Sequence, residues 1–160
     1  MNILGIDPGL GNTGYGIISD NAQIIDLVDY GVIKTSPKDS LSKRLKIIFD
    51  YISELIIKYK PSIFSIEEIF YSNNVKSSLL LGHARGVAIA AAATNDIIVY
   101  EYSAKKIKQS LTGNGNAHKE QVKFMVKNLL KLQEAPKSND ASDALAIAIC
   151  YILQNKLGEL

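Results

Sequence analysis

The stretch Ile3-Leu4-Gly5-Ile6-Asp7-Pro8-Gly9 decides how this chain begins to fold. Its apolar residues are typical of a buried strand, and the strand ends on a carboxylate that a Pro-Gly turn follows at once. A carboxylate at the tip of a buried strand is costly to place unless a partner compensates its charge, and a metal ion is a common partner. Asp7 is therefore the first candidate site residue.

The same turn also matches a nucleotide-binding pattern. Residues 9–14 have the glycine spacing GxGxxG, and Asp29 follows at a suitable distance. A dinucleotide site requires those glycines to open a helix within a βαβ unit. Residues 13–19 instead predict a second strand, followed by a hairpin turn at 20–23 and a third strand over 24–34 with a break near Asp29. No room remains for a crossover helix, so we expect an antiparallel meander.

Length and composition indicate one globular domain over residues 1–160. The chain is 47% hydrophobic and 21% charged, which is ordinary for a globular protein. Its single cysteine, Cys150, excludes an internal disulfide and suits a reducing compartment. The sequence shows neither a signal-like segment nor an uncharged apolar stretch of membrane-spanning length. We therefore expect a cytoplasmic protein.

Positive charge is concentrated in one part of the chain, although the net charge is only +2. Residues 105–137 hold eight lysines and two acids, a net charge of +6, so the remainder of the chain has a net charge of −4. A local basic zone predicts contact with a polyanion. An ordinary lysine-rich surface explains the distribution equally well, because the chain has 16 lysines and two arginines.

After the meander, apolar periodicity predicts alternating helices and strands. The predicted helices cover 41–59, 75–94, 104–111, 118–132 and 140–154, and the predicted strands cover 62–68 and 96–102. The order βββαβαβααα implies one mixed sheet with helices on its faces. This is the order of the ribonuclease H-like α/β architecture, a five-stranded mixed sheet in which a three-stranded antiparallel meander is joined by two parallel strands.

Four acids stand where this fold would bring them together. Asp7 ends the first strand, Glu67 ends the fourth, and Asp140 and Asp143 open the last helix on one face. Each has a structural explanation alone, as a turn residue, a strand end, an N-cap and a first-turn acid. In the expected fold, however, strands one and four are neighbours and the last helix crosses their ends. Four like charges so close would repel one another unless cations held them.

The donor types in this cluster favour Mg²⁺ or Mn²⁺, because the sequence offers carboxylate oxygens and no His or Cys cluster for zinc. Two such ions about 4 Å apart can activate a water and stabilise the leaving 3′ oxygen when a phosphodiester bond is cleaved. We therefore expect two Mg²⁺ ions per site, replaceable by Mn²⁺. Lys119 is a candidate for steadying the scissile phosphate.

A lysine stripe follows the predicted helix over 118–132. Its members recur every four residues, as Lys119, Lys123, Lys127 and Lys131. The stripe is either a phosphate-contacting surface or the solvent-exposed face of an ordinary amphipathic helix. Its place beside the acids and the glycine-containing loop at 113–115 favours phosphate contact.

These segments together resemble the RuvC family of crossover junction endodeoxyribonucleases, the bacterial Holliday junction resolvases. The resemblance spans nearly the whole chain, and its motifs occur in order. They lie at 5–9 with 13–16, 66–70, 81–88, 108–109, 113–119 and 140–146.

The resemblance implies a homodimer that binds four-way DNA junctions, cuts two strands at symmetric positions and works with a branch-migration motor complex. The residues that it assigns to catalysis and metal binding are Asp7, Glu67, Asp140 and Asp143, with Lys119 as the catalytic lysine. The residues expected to contact DNA are Phe70, which can stack on an exposed base, and Lys108, Lys119 and Lys123. Glu68 adjoins Glu67 but points to the opposite face of a strand, and Glu67 fits the motif.

The helix over 75–94 is the expected dimer surface. Paired symmetric cuts need two sites related by a twofold axis, and the small residues of this helix permit close approach of two backbones. The same small residues could instead pack only against the sheet. His83 and His118 are expected as surface or capping residues rather than metal ligands.

Two other classes of protein share these features. Another ribonuclease H-like nuclease or a transposase, acting on hybrid or linear nucleic acid, would also need the acids and the basic zone. Phe70 and the small-residue helix favour the resolvase. A junction-binding module without catalysis would not need all four acids.

Overall fold

The computed structural model describes residues 1–21, 24–69 and 73–156, and the predicted element order is confirmed. The strands are β1 (Asn2–Asp7), β2 (Asn12–Asp20), β3 (Ile25–Lys34), β4 (Ile63–Glu67) and β5 (Ile98–Tyr102). The helices are α1 (Leu41–Tyr59), α2 (Val75–Thr94), α3 (Ala104–Thr112), α4 (Lys119–Leu129) and α5 (Asn139–Lys156). No helix within these ranges is both long and apolar enough to cross a membrane.

The five strands form one mixed sheet in the order β3-β2-β1-β4-β5. The first three strands pair antiparallel, whereas β1 pairs parallel with β4 and β4 pairs parallel with β5. The expected meander with two parallel strands is therefore confirmed. The pairing of β2 with β3 shifts register after Ile17, which faces Asp29, so the irregularity lies where the sequence predicts a break.

Each face of the sheet carries its own hydrophobic core because successive strand residues point to opposite faces. Ile3 packs into a core formed with α3, α4 and α5, whereas its neighbour Leu4 packs into a core formed with α1 and α2. Both side chains are fully buried. The fold is thus a three-layer sandwich in which α5 lies on the face that carries Ile3.

Glycines in β1 and β2 allow α5 to lie directly on the sheet. A Cβ atom at Gly5 would stand 2.2 Å from the carbonyl oxygen of Ala144, and a Cβ atom at Gly14 would stand 2.0 Å from that of Asp140. Real side chains do not tolerate such contacts, so only glycine fits this packing. The glycine-rich start of the chain therefore serves to seat the helix that carries Asp140 and Asp143.

The end of α4 differs from the prediction, since the helix stops at Leu129 rather than at residue 132. Lys131 has a φ of 53°, and the N–H of Leu132 donates to the carbonyl oxygen of Lys127 at 2.9 Å. This left-handed residue followed by a backward hydrogen bond is the Schellman arrangement that ends a helix. Lys131 consequently lies outside the helical stripe, which retains Lys119, Lys123 and Lys127.

Candidate active site

Asp7 and Glu67 lie at the same edge of the sheet. Each is the last residue of its strand, and β1 and β4 are parallel neighbours whose register pairs Ile6 with Ile66. Ser65 strengthens this edge, because its buried hydroxyl donates a hydrogen bond of 3.0 Å to the carbonyl oxygen of Ile147 in α5. The two acids are thus fixed by the sheet and by the helix above it.

Helix α5 contributes Asp140 and Asp143 from its first turns. Ser138, rather than Asp140, precedes the helix as its cap: the Ser138 hydroxyl accepts from the N–H of Ala141 at 3.3 Å, and its carbonyl accepts from Ser142. The explanation of Asp140 as an N-cap is therefore wrong. Both helix acids are left available for other contacts.

Burial and neighbouring negative charge make Asp7 an unusual carboxyl. Its pKa is raised from 3.8 to about 8, first by burial and then by the carboxylates of Asp143, Glu67 and Asp140. The positive charge of Lys119 opposes this rise. The charges of all three other acids predicted for the site therefore act on Asp7.

Glu67 and Asp143 share this environment. Burial raises the pKa of Glu67, the carboxylate of Asp143 raises it further, and Lys108 and Lys119 oppose the rise. Burial likewise raises the pKa of Asp143, while a hydrogen bond from Lys119 acts against it. A group of carboxylates that resist ionisation together is a site where an added cation would be stabilised.

Lys119 is the basic residue in direct contact with the acids. Its Nζ lies 3.1 Å from Oδ2 of Asp143, and this hydrogen bond raises the pKa of the ammonium. Lys119 is the first residue of α4, after the N-cap His118, whose N–H donates to Oε1 of Gln121 at 2.9 Å. The expectation of His118 as a capping residue is confirmed, and His83 is exposed on α2.

A cleft of about 270 Å³ opens beside these residues and is lined by Glu67, Lys108, Lys119 and Asp143. A second cleft of about 290 Å³ shares Glu67 with it and reaches Asp7. Glu68 lines only the second cleft and is exposed. Glu67, and not Glu68, thus joins the two clefts.

The acids share one electrostatic environment without standing in coordinating positions. Among residues 1–21, 24–69 and 73–156, no three His, Cys, Asp or Glu side chains form a group that could hold a metal ion as placed. The contact between Asp143 and Lys119 directs one carboxylate toward an ammonium instead. The donor set is nevertheless all carboxylate oxygen, which suits a hard divalent cation.

Two predicted DNA contacts lie at the rim of the site, and a third lies outside the described residues. Lys108 lines the cleft of about 270 Å³ together with Glu67 and Asp143, and the positive charge of Lys123 acts on Asp143. Phe70 falls between the described ranges 24–69 and 73–156.

Comparison with known proteins decides the family. The family described as crossover junction endodeoxyribonuclease RuvC matches residues 3–151. The chain belongs to the RuvC family. A RuvC from Legionella pneumophila strain Philadelphia 1 is 51% identical over 159 residues, which cover 99% of this chain and 91% of that protein. A RuvC from Alkaliphilus metalliredigens is 46% identical over 151 residues, which cover 94% of this chain and 92% of that protein.

Solved structures agree with this assignment. The RuvC of Thermus thermophilus in complex with Holliday junction substrate is 33% identical, with a TM-score of 0.94 over 99% of this chain and 96% of that chain. Another structure of Thermus thermophilus RuvC gives a TM-score of 0.91 over 99% of this chain and 97% of that chain. The ribonuclease H-like fold predicted from the element order is therefore confirmed.

One residue beside this RuvC site was not singled out by the sequence, although it lies within a motif at 81–88. The Nε of Arg85 donates to the backbone carbonyl oxygen of Glu67 at 2.9 Å, and Nη2 of Arg85 pairs with the carboxylate of Glu101. A side chain on one helix that binds a main-chain atom of a distant strand leaves no characteristic spacing in the sequence. The signal available was an arginine in a chain that contains only two.

Proposed function

We propose that this protein is a structure-selective endonuclease that resolves four-way DNA junctions by paired symmetric nicks, in recombination and repair. The observation that carries the proposal is that Glu67, Asp140 and Asp143 all act electrostatically on the partly buried Asp7, while Lys119 contacts Asp143. Membership of the RuvC family supports it, as does the likeness to a RuvC in complex with Holliday junction substrate.

The carboxylates of Asp7, Glu67, Asp140 and Asp143 would hold the metal in this proposal. Burial, and then repulsion by the three neighbouring carboxylates, raises the pKa of Asp7 to about 8, so a divalent cation that neutralised this negative charge would bind favourably. Two Mg²⁺ ions, or Mn²⁺ in their place, would supply an activated water and stabilise the leaving 3′ oxygen of the cleaved strand. To bind the metal, the Asp143 carboxylate would have to give up at least part of its contact with the Lys119 ammonium.

Lys119 would then be free to hold the scissile phosphate. Its side chain is about half exposed and lines the same cleft as Glu67 and Asp143. Lys108 and Lys123 would contact neighbouring phosphates, because each lies close enough to influence one of the acids. Phe70 would stack on a base exposed at the junction.

Helix α2 would provide the dimer surface. Its Ala84, Ala88, Ala91 and Ala92 are buried in the core with α1, so those small residues pack inward, as the alternative explanation required. The outward face is different. Apart from the backbone of α2 and the adjacent residues of the chain, no described atom would lie within 4 Å of a Cβ atom at Gly82 or Gly86, and Leu79 is exposed. This remaining small and apolar face could receive a second copy of the helix. We also infer a cytoplasmic location, from the single cysteine and the other sequence features given above, and a branch-migration partner, from the family resemblance alone.

Cleavage of matched DNA substrates tests the proposal. The protein would be incubated with Mg²⁺ and either a synthetic four-way junction or a linear duplex of the same sequence, and the products mapped at nucleotide resolution. We expect paired symmetric nicks confined to the junction. Equal cutting of the duplex would indicate another ribonuclease H-like nuclease, and absence of cutting from both would contradict the proposal.

A further inference from the structure

We propose that Arg85 is a positioning residue for Glu67, holding the end of β4 so that the Glu67 carboxylate faces the other acids. The inference rests on the proposed function, since it assigns Glu67 to the metal site. Arg85 contacts the main chain of Glu67 and not its carboxylate. It would act on the reaction only through the direction in which the Glu67 side chain leaves the strand.

The backbone on either side of this contact is tied to different partners. The N–H of Glu68 donates to the carbonyl oxygen of Tyr102 at 2.9 Å, toward β5. Because successive backbone groups in a strand alternate between neighbouring strands, the carbonyl of Glu67 is directed toward β1. It would therefore be expected to accept a hydrogen bond from β1.

The strand β1 cannot provide that donor. The register of Ile6 with Ile66 places Asp7 opposite Glu67, and in a parallel ladder the carbonyl of Glu67 would accept from the N–H of residue 8. Residue 8 is proline, which has no N–H. The turn that frees Asp7 from the sheet thus leaves the carbonyl of Glu67 without its ladder donor, and Arg85 supplies a replacement at 2.9 Å.

The guanidinium is itself held in place. Arg85 projects from α2 with a side chain that is only 18% exposed, and its second contact is the carboxylate of Glu101 in β5. Glu101 pairs with Ile66 in the sheet, one residue before Glu67. The planar guanidinium can make both contacts in fixed directions, which a lysine ammonium cannot. Arg85 therefore connects α2 with β4 and β5 beside Glu67, the residue whose carboxylate belongs to the candidate site.

Arg85→Lys tests this role, with Arg44→Lys as the matched control. Arg44 also donates from its Nε, to the hydroxyl of Thr35 at 2.9 Å, and it has no contact with the four acids. Three quantities would be measured for each protein: the single-turnover cleavage rate at saturating protein, the junction dissociation constant without metal, and the Mn²⁺ concentration that half-saturates thermal stabilisation without DNA.

We expect Arg85→Lys to slow cleavage by about tenfold or more and to raise the Mn²⁺ midpoint by a similar factor, as loss of a group that orients a metal ligand does. The junction dissociation constant should stay within about twofold, because the Arg85 side chain is mostly buried and its guanidinium already contacts Glu67 and Glu101. Arg44→Lys should change neither the rate nor the Mn²⁺ midpoint. Parallel losses in both variants, or an unchanged Mn²⁺ midpoint in Arg85→Lys, would overturn the inference.

Glu101→Gln keeps the test decisive if Arg85→Lys does not fold. Glu101 is about half exposed, so its amide should be tolerated, and Arg85 would keep its hydrogen bond to Glu67 with a less constrained guanidinium. We expect about threefold slower cleavage and a higher Mn²⁺ midpoint at unchanged junction affinity; no change in either would contradict the positioning role. A wild-type protein that binds Mn²⁺ but cuts no junction would defeat the proposed function while leaving the Mn²⁺ comparison valid.

Discussion

The α carbon of Gly14 lies so close to α5 that a Cβ atom there would stand 2.0 Å from the carbonyl oxygen of Asp140. The contact joins the start of β2 to the first turn of the helix that carries two of the four acids. The distance between the sheet and Asp140 is therefore set by the absence of a side chain at position 14. This relationship connects the glycine-rich turn at the beginning of the chain with the candidate active site.

Gly14→Ala should lower both stability and cleavage. The added methyl group forces β2 and α5 apart, and overpacking of this kind costs about 1–3 kcal/mol in a well-packed core. Because α5 would move together with Asp140 and Asp143, we expect cleavage at a temperature below the unfolding transition to fall by roughly tenfold or more. Thermal unfolding followed by circular dichroism and single-turnover cleavage would measure the two effects.

Gly11→Ala is the matched control for that variant. A Cβ atom at Gly11 would meet only a nitrogen of Arg44, at an ordinary 3.8 Å, and the position does not have a positive φ. Its unfolding temperature should therefore stay close to that of the wild type. Equal destabilisation by the two substitutions would show that the close approach of Gly14 and Asp140 is not what makes position 14 sensitive.

Most of the fold could be predicted because the pattern of apolar residues in each element is consistent over the whole length of that element. The alternation of Ile3 and Leu4 between two cores is a property of any strand that is buried on both faces, and the order of elements then restricts the sheet. The end of α4 could not be predicted in this way. It depends on the left-handed backbone conformation of Lys131, which a lysine seldom adopts. No sequence pattern predicts that conformation.

The proximity of the four acids was predictable for a different reason. A carboxylate at the end of a buried strand or at the start of a helix stands out in sequence, and the topology brings such ends together. The contacts of Arg85 and Ser138 were not predictable, because each joins a side chain to a backbone atom whose availability depends on neighbouring structure. Arg85 can bind the carbonyl of Glu67 only because the residue that would otherwise donate to it from the β1 side is Pro8, which has no N–H.

Asp7→Asn should abolish cleavage while junction binding persists. The amide has nearly the same shape as the carboxyl but loses the negative charge that a divalent cation needs, and the lysines that would contact phosphates are untouched. We expect a loss of cleavage of about 100-fold or more, larger than that for a residue that only orients a ligand. Gel-shift titration and single-turnover cleavage with Mg²⁺ would measure both quantities.

Asp50→Asn provides the same chemical change away from the site. Asp50 pairs with Lys46 on the exposed side of α1, and its substitution should leave cleavage unchanged. If Asp7→Asn cleaved the junction as fast as Asp50→Asn, Asp7 would have no place in the metal site.

Lys119→Ala should weaken cleavage more than binding. Its ammonium contacts Asp143 and faces the cleft, so its loss would remove a charge beside the proposed position of the scissile phosphate. We expect the rate at saturating protein to fall by about 10- to 100-fold. Lys127→Ala, farther along α4, should show the reverse pattern, with weaker and less salt-dependent binding at an unchanged rate. A Lys119 variant that lost affinity but cleaved normally once bound would be an anchoring residue instead.

The stability of the metal-free protein should fall as pH rises, and Asp7 should account for part of the fall. The pKa of Asp7 is 3.8 as a free side chain and about 8 in the folded protein. Between these values the folded state holds a proton at Asp7 that the unfolded state has lost, so each pH unit lowers the free energy of unfolding by at most about 1.4 kcal/mol. Asp7→Asn lacks this titration.

Urea denaturation in EDTA between pH 5 and pH 8 would separate the contribution of Asp7 from that of the other acids. Glu67 and Asp143, whose pKa values are also raised, are present in both the wild type and Asp7→Asn, so the difference between the two pH slopes isolates Asp7. We expect Asp7→Asn to have the shallower slope and to be the more stable protein at pH 8. Mg²⁺ added at pH 8 should then stabilise the wild type and not the variant, because only the wild type has a carboxylate at position 7 for the cation to neutralise. Identical slopes would mean that neither burial nor the neighbouring acids raise the pKa of Asp7, and the electrostatic basis for a metal at this position would be lost.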